Sequence, residues 1–161
     1  MPRTRSFLLM TMVAMALAAP GCWFADALKP PPEVTQEYEA AKQLFMEEQY
    51  ARAGVGFKAF VHKYPDNPLS PWAQYYLAQA YRHQEMYEPA AELFEQFLSG
   101  WPDTNILPMA RYDLAQCYVG TGRLDDARSE YEKVMDLGAS TQSKSAAMFA
   151  GRARERLAEL E

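Results

Sequence analysis

Residues of one kind recur every 37 positions along most of this chain, and that period constrains the fold more than any other feature. Ala41, Ala78 and Ala115 share one register, and Ala53, Ala90 and Ala127 share another. The same interval relates Phe57, Phe94 and Tyr131; Tyr50, Tyr87 and Leu124; Leu44, Tyr81 and Tyr118; and Tyr38, Tyr75 and Tyr112. Between units, Tyr64-Pro65-Asp66 returns as Trp101-Pro102-Asp103, and Pro71 returns as Pro108. A period of this length means stacked supersecondary units, each too small to bury its own apolar face.

Each unit divides into two helices. Apolar spacing at i, i+3, i+4 and i+7 predicts helix A over 35–47, 71–84 and 108–120, and helix B over 50–63, 87–99 and 124–137. Gly120 and Gly122 mark one of the turns between them, and Tyr-Pro or Trp-Pro closes the first two B helices. Ser70-Pro71 reads as a cap followed by a proline in the first turn, where the missing N–H costs nothing. Lys144 to Leu160 carries a last apolar stripe of Ala146, Ala150, Ala153, Leu157 and Leu160, with Arg152, Arg154, Glu155, Arg156 and Glu159 over the remaining surface. That is the pattern of a terminal capping helix.

Small residues in mid-helix A and early in helix B, an aromatic four positions on, and a proline after helix B resemble the tetratricopeptide repeat (TPR). The second unit is the clearest, with Leu77-Ala78, Tyr81, Ala90, Phe94 and Pro102. The resemblance covers about 34–138. It implies an all-α fold: a right-handed TPR superhelix of three helix-turn-helix repeats, about 34–70, 71–107 and 108–142, followed by a capping helix over 143–161. The longer loop after helix B, with the phrases YPDNP, WAQYYLAQAY and AAELFEQFL, resembles BamD-like outer-membrane lipoproteins and the TPR domain of Tol-Pal-associated YbgF/CpoB-type proteins. The chain has fewer units than typical BamD and lacks the coiled-coil region of the Tol-Pal type.

The first 34 residues read as an address and a tether. Arg3 and Arg5 precede an uncharged, mostly apolar run from Phe7 to Ala19, the length of a secretory signal and too short to span a bilayer. Leu17-Ala18-Ala19-Pro20-Gly21-Cys22 resembles a bacterial lipoprotein box, which makes 1–21 a signal peptide and Cys22 the lipidated residue. The alternative is an ordinary signal peptide cut after Ala18, leaving Cys22 a plain thiol. Several acyl chains make a lasting anchor where one does not. Trp23 rather than Asp after the cysteine implies, by resemblance to enterobacterial sorting, an outer-membrane lipoprotein facing the periplasm. Residues 22–34, with Lys29-Pro30-Pro31-Pro32, read as a stiff stalk.

Charge and chemistry narrow the function. The net charge is −5, and without residues 1–21 it falls to −7, from 14 basic and 21 acidic residues. That balance argues against nucleic acid, whose binding needs a basic stripe. No catalytic, cofactor or metal-ligating pattern is present. Gly54-Val55-Gly56 lies inside a helix-B pattern and lacks a following Lys-Ser/Thr. His62 and His83 sit in different elements, and Cys117 in the third helix A reads as a small core hydrophobe.

What remains is protein binding. By TPR resemblance the second, fifth, ninth and twelfth positions of helix A face an inner groove. These include Tyr38 and Lys42 in the first unit, Trp72, Tyr75, Gln79 and Arg82 in the second, and Met109, Tyr112 and Gln116 in the third. The tyrosines read either as a ladder for a bound peptide segment or as braces between neighbouring helices. The expected function is a non-enzymatic envelope scaffold of BamD-like type that helps assemble or coordinate a complex. The alternative is a structural or accessory lipoprotein of a pilus, secretion, or Tol-Pal and cell-division system. Envelope proteins bound in the groove, and the membrane through lipid, are the expected partners.

Overall fold

A computed structural model describes residues 32–102 and 104–160; the signal segment, Cys22 and most of the tether lie outside them. Seven helices follow one another: α1 (Pro32–Met46), α2 (Tyr50–Lys63), α3 (Ser70–His83), α4 (Tyr87–Gly100), α5 (Leu107–Gly120), α6 (Leu124–Ser140) and α7 (Lys144–Glu159). Among the described residues there is no strand. The odd-numbered helices are the A helices and the even-numbered ones the B helices. From α3 onward, A helices start at 70, 107 and 144 and B helices at 50, 87 and 124, so the 37-residue period is a period of structure.

Two boundaries move for local reasons. Helix α1 begins at Pro32, ahead of the start at 35 expected from apolar spacing. Proline is tolerated in a first turn because its absent N–H would have no partner there, and the helix gains Val34, which is buried against the first unit. Ser70 is not a cap: it is the first helical residue of α3, and Leu69 at the cap position makes no side-chain bond. Its hydroxyl is buried and donates to the Tyr64 carbonyl, tying the loop back to the end of α2. In the same loop the Leu69 N–H donates to Asn67 Oδ1 at 2.9 Å, and 37 residues later Ile106 N–H donates to Thr104 Oγ1 at 3.4 Å. The turns from helix A to helix B also repeat: Glu48, Glu85 and Gly122 hold φ of 60°, 59° and 77°.

The core follows from the repeated small and aromatic residues. Ala41, Ala78, Ala115, Ala53, Ala90 and Ala127 are all 2% exposed or less, as are Phe57, Phe94 and Tyr131. The alanines let paired helices approach, and the rings fill the space that remains. Glycine does the same where approach is closest. A Cβ on Gly56 would stand 2.8 Å from Ala41 Cβ, and one on Gly138 would stand 2.4 Å from Ala150 Cβ. The core falls into two clusters, and Trp72, Tyr76, Tyr81 and Leu93 pack against both, joining them.

Contacts between helices explain the curvature. Every helix packs on the next in sequence, and α1, α3, α5 and α7 also touch one another in order. Among the described residues no two of α2, α4 and α6 touch. The A helices therefore crowd the inside of an arc and the B helices splay around its outside. Helix α7 behaves as a fourth helix A: it packs on α6 and α5, and its Phe149 stands 37 residues after Tyr112.

Candidate functional site

The inner face of the arc holds a cavity of about 670 Å³. Helices α3, α5 and α7 supply nearly all of its wall, and Phe45 of α1 closes one end. A second hollow of about 240 Å³ adjoins it, and Arg82, Gln116, Arg156 and Glu159 line both. Of the residues predicted for the groove, Tyr75, Gln79, Arg82, Met109, Tyr112 and Gln116 come together here. Three do not. Lys42 lies on the outer part of α1 beside Glu39, over the Tyr38 ring, in a separate shallow depression. Tyr38 is buried under it, and Trp72, half-buried, packs edge-on to Tyr75 against the core.

The tyrosines brace the units. Tyr38, Tyr75 and Tyr112 are all buried. Each packs against an aromatic ring of its own B helix: Tyr38 on Phe57 at 5.9 Å, Tyr75 on Phe94 at 5.9 Å and Tyr112 on Tyr131 at 5.6 Å. Tyr112 also meets Phe149 of α7 at 5.6 Å. Ring pairs at such separations add to area burial. What the second and third tyrosines present to the cavity is therefore a ring edge and a polar tip, while their bodies hold the arc together.

The cavity floor is a polar network built around Asp113, a buried carboxylate on α5. Tyr75 Oη donates to Asp113 Oδ2 at 2.7 Å, and Gln79 Nε2 donates to the same oxygen and, at 2.5 Å, to Tyr75 Oη. Arg82 Nε and Nη2 donate to Gln79 Oε1 at 3.1 and 2.8 Å, and Nη1 donates to Gln116 Oε1 at 3.2 Å. The network spans α3 and α5 and leaves no buried side-chain polar atom without a partner among the described residues. Burial pushes the Asp113 carboxyl up to about 6, against the opposing pull of Arg82 and the hydrogen bonds from Tyr75 and Gln79. Burial raises the Tyr75 hydroxyl further, with the neighbouring Asp113 charge adding to it.

The aromatic wall opposite is made by neutral rings. His83 stacks on Tyr50 at 4.4 Å and meets Phe45 edge-on at 5.6 Å. Desolvation, then the Arg82 charge, lower its pKa, so the imidazole is uncharged near neutral pH. Cys117 is buried, and burial drives its thiol up to about 12, which makes it inert. Among the described residues no group of three His, Cys, Asp or Glu is placed to hold a metal.

The sequence reading missed Asp113 and the contribution of α7. Asp113 has Tyr76 as its register mate in the preceding unit, so no repeat flags it. Phe149, Arg152, Glu155, Arg156 and Glu159 of α7 line the cavity, although the charged ones read as a solvated face. Phe149 was the available signal, since it continues the register of Tyr38, Tyr75 and Tyr112.

Comparison with known proteins decides the family. The family model described as "YfiO: Outer membrane lipoprotein" matches residues 31–149. The chain belongs to this family. The match bears out the BamD-like resemblance carried by the inter-repeat loop and helix phrases. Among solved structures, PcrH from Pseudomonas aeruginosa superposes with a TM-score of 0.68 at 18% identity, covering 82% of this chain and 94% of that one. PcrH in complex with the chaperone binding region of PopD gives 0.67 at 19% identity, covering 80% and 90%. The Sgt2 TPR domain from Aspergillus fumigatus gives 0.60 at 18%, covering 83% and 84%. At these identities the likeness is one of fold, and the fold of this YfiO-family chain is an all-α TPR superhelix. No curated protein matches the chain.

Proposed function

We propose that this YfiO-family chain is a non-enzymatic scaffold of the bacterial envelope, of BamD-like type, which holds a segment of a partner protein in the cavity between α3, α5 and α7. Cys22 carries the lipid that tethers it, with the outer membrane as the site of attachment. The observation that carries the reading is the cavity itself. It is a preformed concave surface whose rigid floor, the Tyr75–Gln79–Arg82–Asp113 network, is flanked by rings and by guanidinium groups. Aromatic and arginine side chains on a fixed scaffold are the usual anchors of protein recognition. Two further points support it. The family match is to outer membrane lipoproteins. A similar fold is solved as a complex with the chaperone binding region of PopD.

A photo-crosslinking residue at Met109, inside the cavity, tests the reading in intact cells. Val55 is the control, because it is 71% exposed on α2, on the outside of the arc. Capture of an envelope protein from position 109 and not from 55 is expected; the same products from both positions would refute the assignment. Mass spectrometry of the membrane fraction tests the tether. An acylated Cys22 is expected, whereas a soluble form with a free Cys22 thiol would remove lipid from the account.

A further inference from the structure

Arg82 stands where the two hollows of the inner face meet. A guanidinium has five N–H donors, and three of these are in use: Nε–H and one Nη2–H on Gln79, and one Nη1–H on Gln116. Asp113 Oδ1 lies 3.7 Å from Nε, near enough to attract and too far to accept a hydrogen bond. One N–H on each Nη nitrogen is thus left without an acceptor among the described residues. The side chain is only 20% exposed, and its three bonds hold it in place, so little freedom remains to be lost on binding.

The surroundings favour an anion at this point. Across the larger hollow, Arg152 lies 5.3 Å from the Phe149 ring centroid and has no carboxylate within 4.0 Å among the described residues. The acids nearby are mostly engaged. Glu159 holds Arg156 at 2.6 Å, and Asp113 accepts from Tyr75 and Gln79. Glu155 is the exception: it lines the same wall with no ion pair among the described residues, one acid against the guanidinium groups of Arg82, Arg152 and Arg156.

We infer that Arg82 anchors the side-chain carboxylate of an Asp or Glu within an internal segment of the partner polypeptide, with apolar neighbours of that residue lying in the two hollows. The inference rests on the reading of the cavity as the partner site and names the chemistry of what it takes. A carboxylate offers two oxygens to the two unused Nη donors, the geometry in which arginine differs most from lysine. The segment is internal because the surface continues on both sides of Arg82. The larger hollow runs toward Met109 and Tyr76, and the smaller toward Tyr87, Val119 and Leu160.

Synthetic peptides test this with the full-length chain in detergent micelles. One apolar-aromatic peptide is made with a central Glu, a central Gln or a central Lys, all with amidated ends. A fourth has no Glu and a free terminal carboxylate. Binding is read by fluorescence, and a photo-crosslinker at Met109 reports whether a peptide occupies the cavity. The Glu peptide is expected to bind at least about tenfold more tightly than the Gln peptide. Arg82→Lys, which keeps the charge and loses the fork, should bring the Glu peptide down to the level of Gln. Arg82→Gln should do the same, and the change on the peptide side carries the test if that variant folds poorly. Equal binding of Glu and Gln peptides at Met109, or binding of the free-terminus peptide alone, would overturn the inference and leave the cavity reading standing. If no peptide crosslinks at Met109, the cavity reading falls and takes this inference with it.

Discussion

Tyr75 Oη and Asp113 Oδ2 stand 2.7 Å apart, joining the second helix A to the third through a buried hydrogen bond between residues 38 positions apart. Tyr75 thus has two separable jobs. Its ring packs on Phe94 and Phe97, and its hydroxyl stabilises a buried carboxylate. Tyr75→Phe keeps the ring and is expected to cost roughly 1–3 kcal/mol, the range for leaving a buried acceptor short of a donor. Tyr75→Ala also opens a cavity and should cost about 3–5 kcal/mol. Urea denaturation of the two variants checks the order. A Phe variant as stable as the wild type would remove the hydroxyl from the account of the floor.

Asp113 makes stability depend on pH in an unusual direction for a carboxylate. Its folded pKa is raised from the ordinary 3.8 to about 6, so the folded chain binds this proton more tightly than the unfolded chain does. The ionised form therefore weakens the fold fully above about 6, and the penalty is relieved as pH falls from there toward 3.8. Relative to Asp113→Asn, the wild type should gain stability on going from about pH 7 to about pH 5. Paired melting curves across that window read the difference. A gap between the two proteins that does not change with pH would contradict the raised pKa.

The turn register predicts a stabilising change. Glu48 and Glu85 hold left-handed φ of 60° and 59°, where the third unit places Gly122 at 77°. A side chain in that conformation is strained by roughly 1–2 kcal/mol, and glycine removes the strain while losing more freedom on folding. Glu48→Gly and Glu85→Gly should each raise stability by roughly 0.5–1 kcal/mol, and Gly122→Ala should lower it. Thermal melting decides, and a lower melting temperature for both glycine variants would sink the idea.

Two glycines near the C-terminus should respond oppositely to alanine. A Cβ at Gly138 would come within 2.4 Å of Ala150 Cβ and 3.1 Å of the Ala146 carbonyl oxygen, so α6 and α7 must separate. At Gly151, inside α7, a Cβ meets nothing within 4 Å. Gly138→Ala is expected to cost about 1–3 kcal/mol, as overpacking does. Gly151→Ala should gain about 0.5–1 kcal/mol from helix propensity. A neutral Gly138→Ala would mean that α7 is not docked tightly on α6.

The period made the fold legible because small residues and rings must return to the same place in each stacked unit. Ala53, Ala90 and Ala127, for instance, are all fully buried. The site was less legible, for the opposite reason. Asp113 shares its register with Glu39 and Tyr76, so no one residue type runs through that position, and a position that varies leaves no pattern to read. The tyrosines were ambiguous because a ring that fills a core and a ring that meets a ligand have the same spacing, and Tyr75 and Tyr112 are in fact both buried and part of the cavity wall. The charged residues of α7 followed a helical face to solvent, and only the arc of A helices turns part of that face inward over the cavity. Ser70 looked like a cap by its place before proline, yet its hydroxyl bonds back to Tyr64.

The cavity as partner site is tested most directly by changing its rim without touching its core. Arg152 and Arg156 are exposed on α7, whereas Tyr75 and Tyr112 carry the packing. Arg152→Gln with Arg156→Gln removes two positive charges and one exposed ion pair to Glu159 without adding a negative charge beside Asp113, and should lower the melting temperature only slightly. The same double variant should weaken binding of the partner captured at Met109 several-fold and reduce its salt dependence, since rim charges act mainly on encounter. Glu132→Ala, exposed on α6, is the control and should alter neither quantity. Affinity and melting temperature measured together on these three proteins give the answer. Full affinity in the double variant, with its fold intact, would contradict the account and move the binding surface off the inner face.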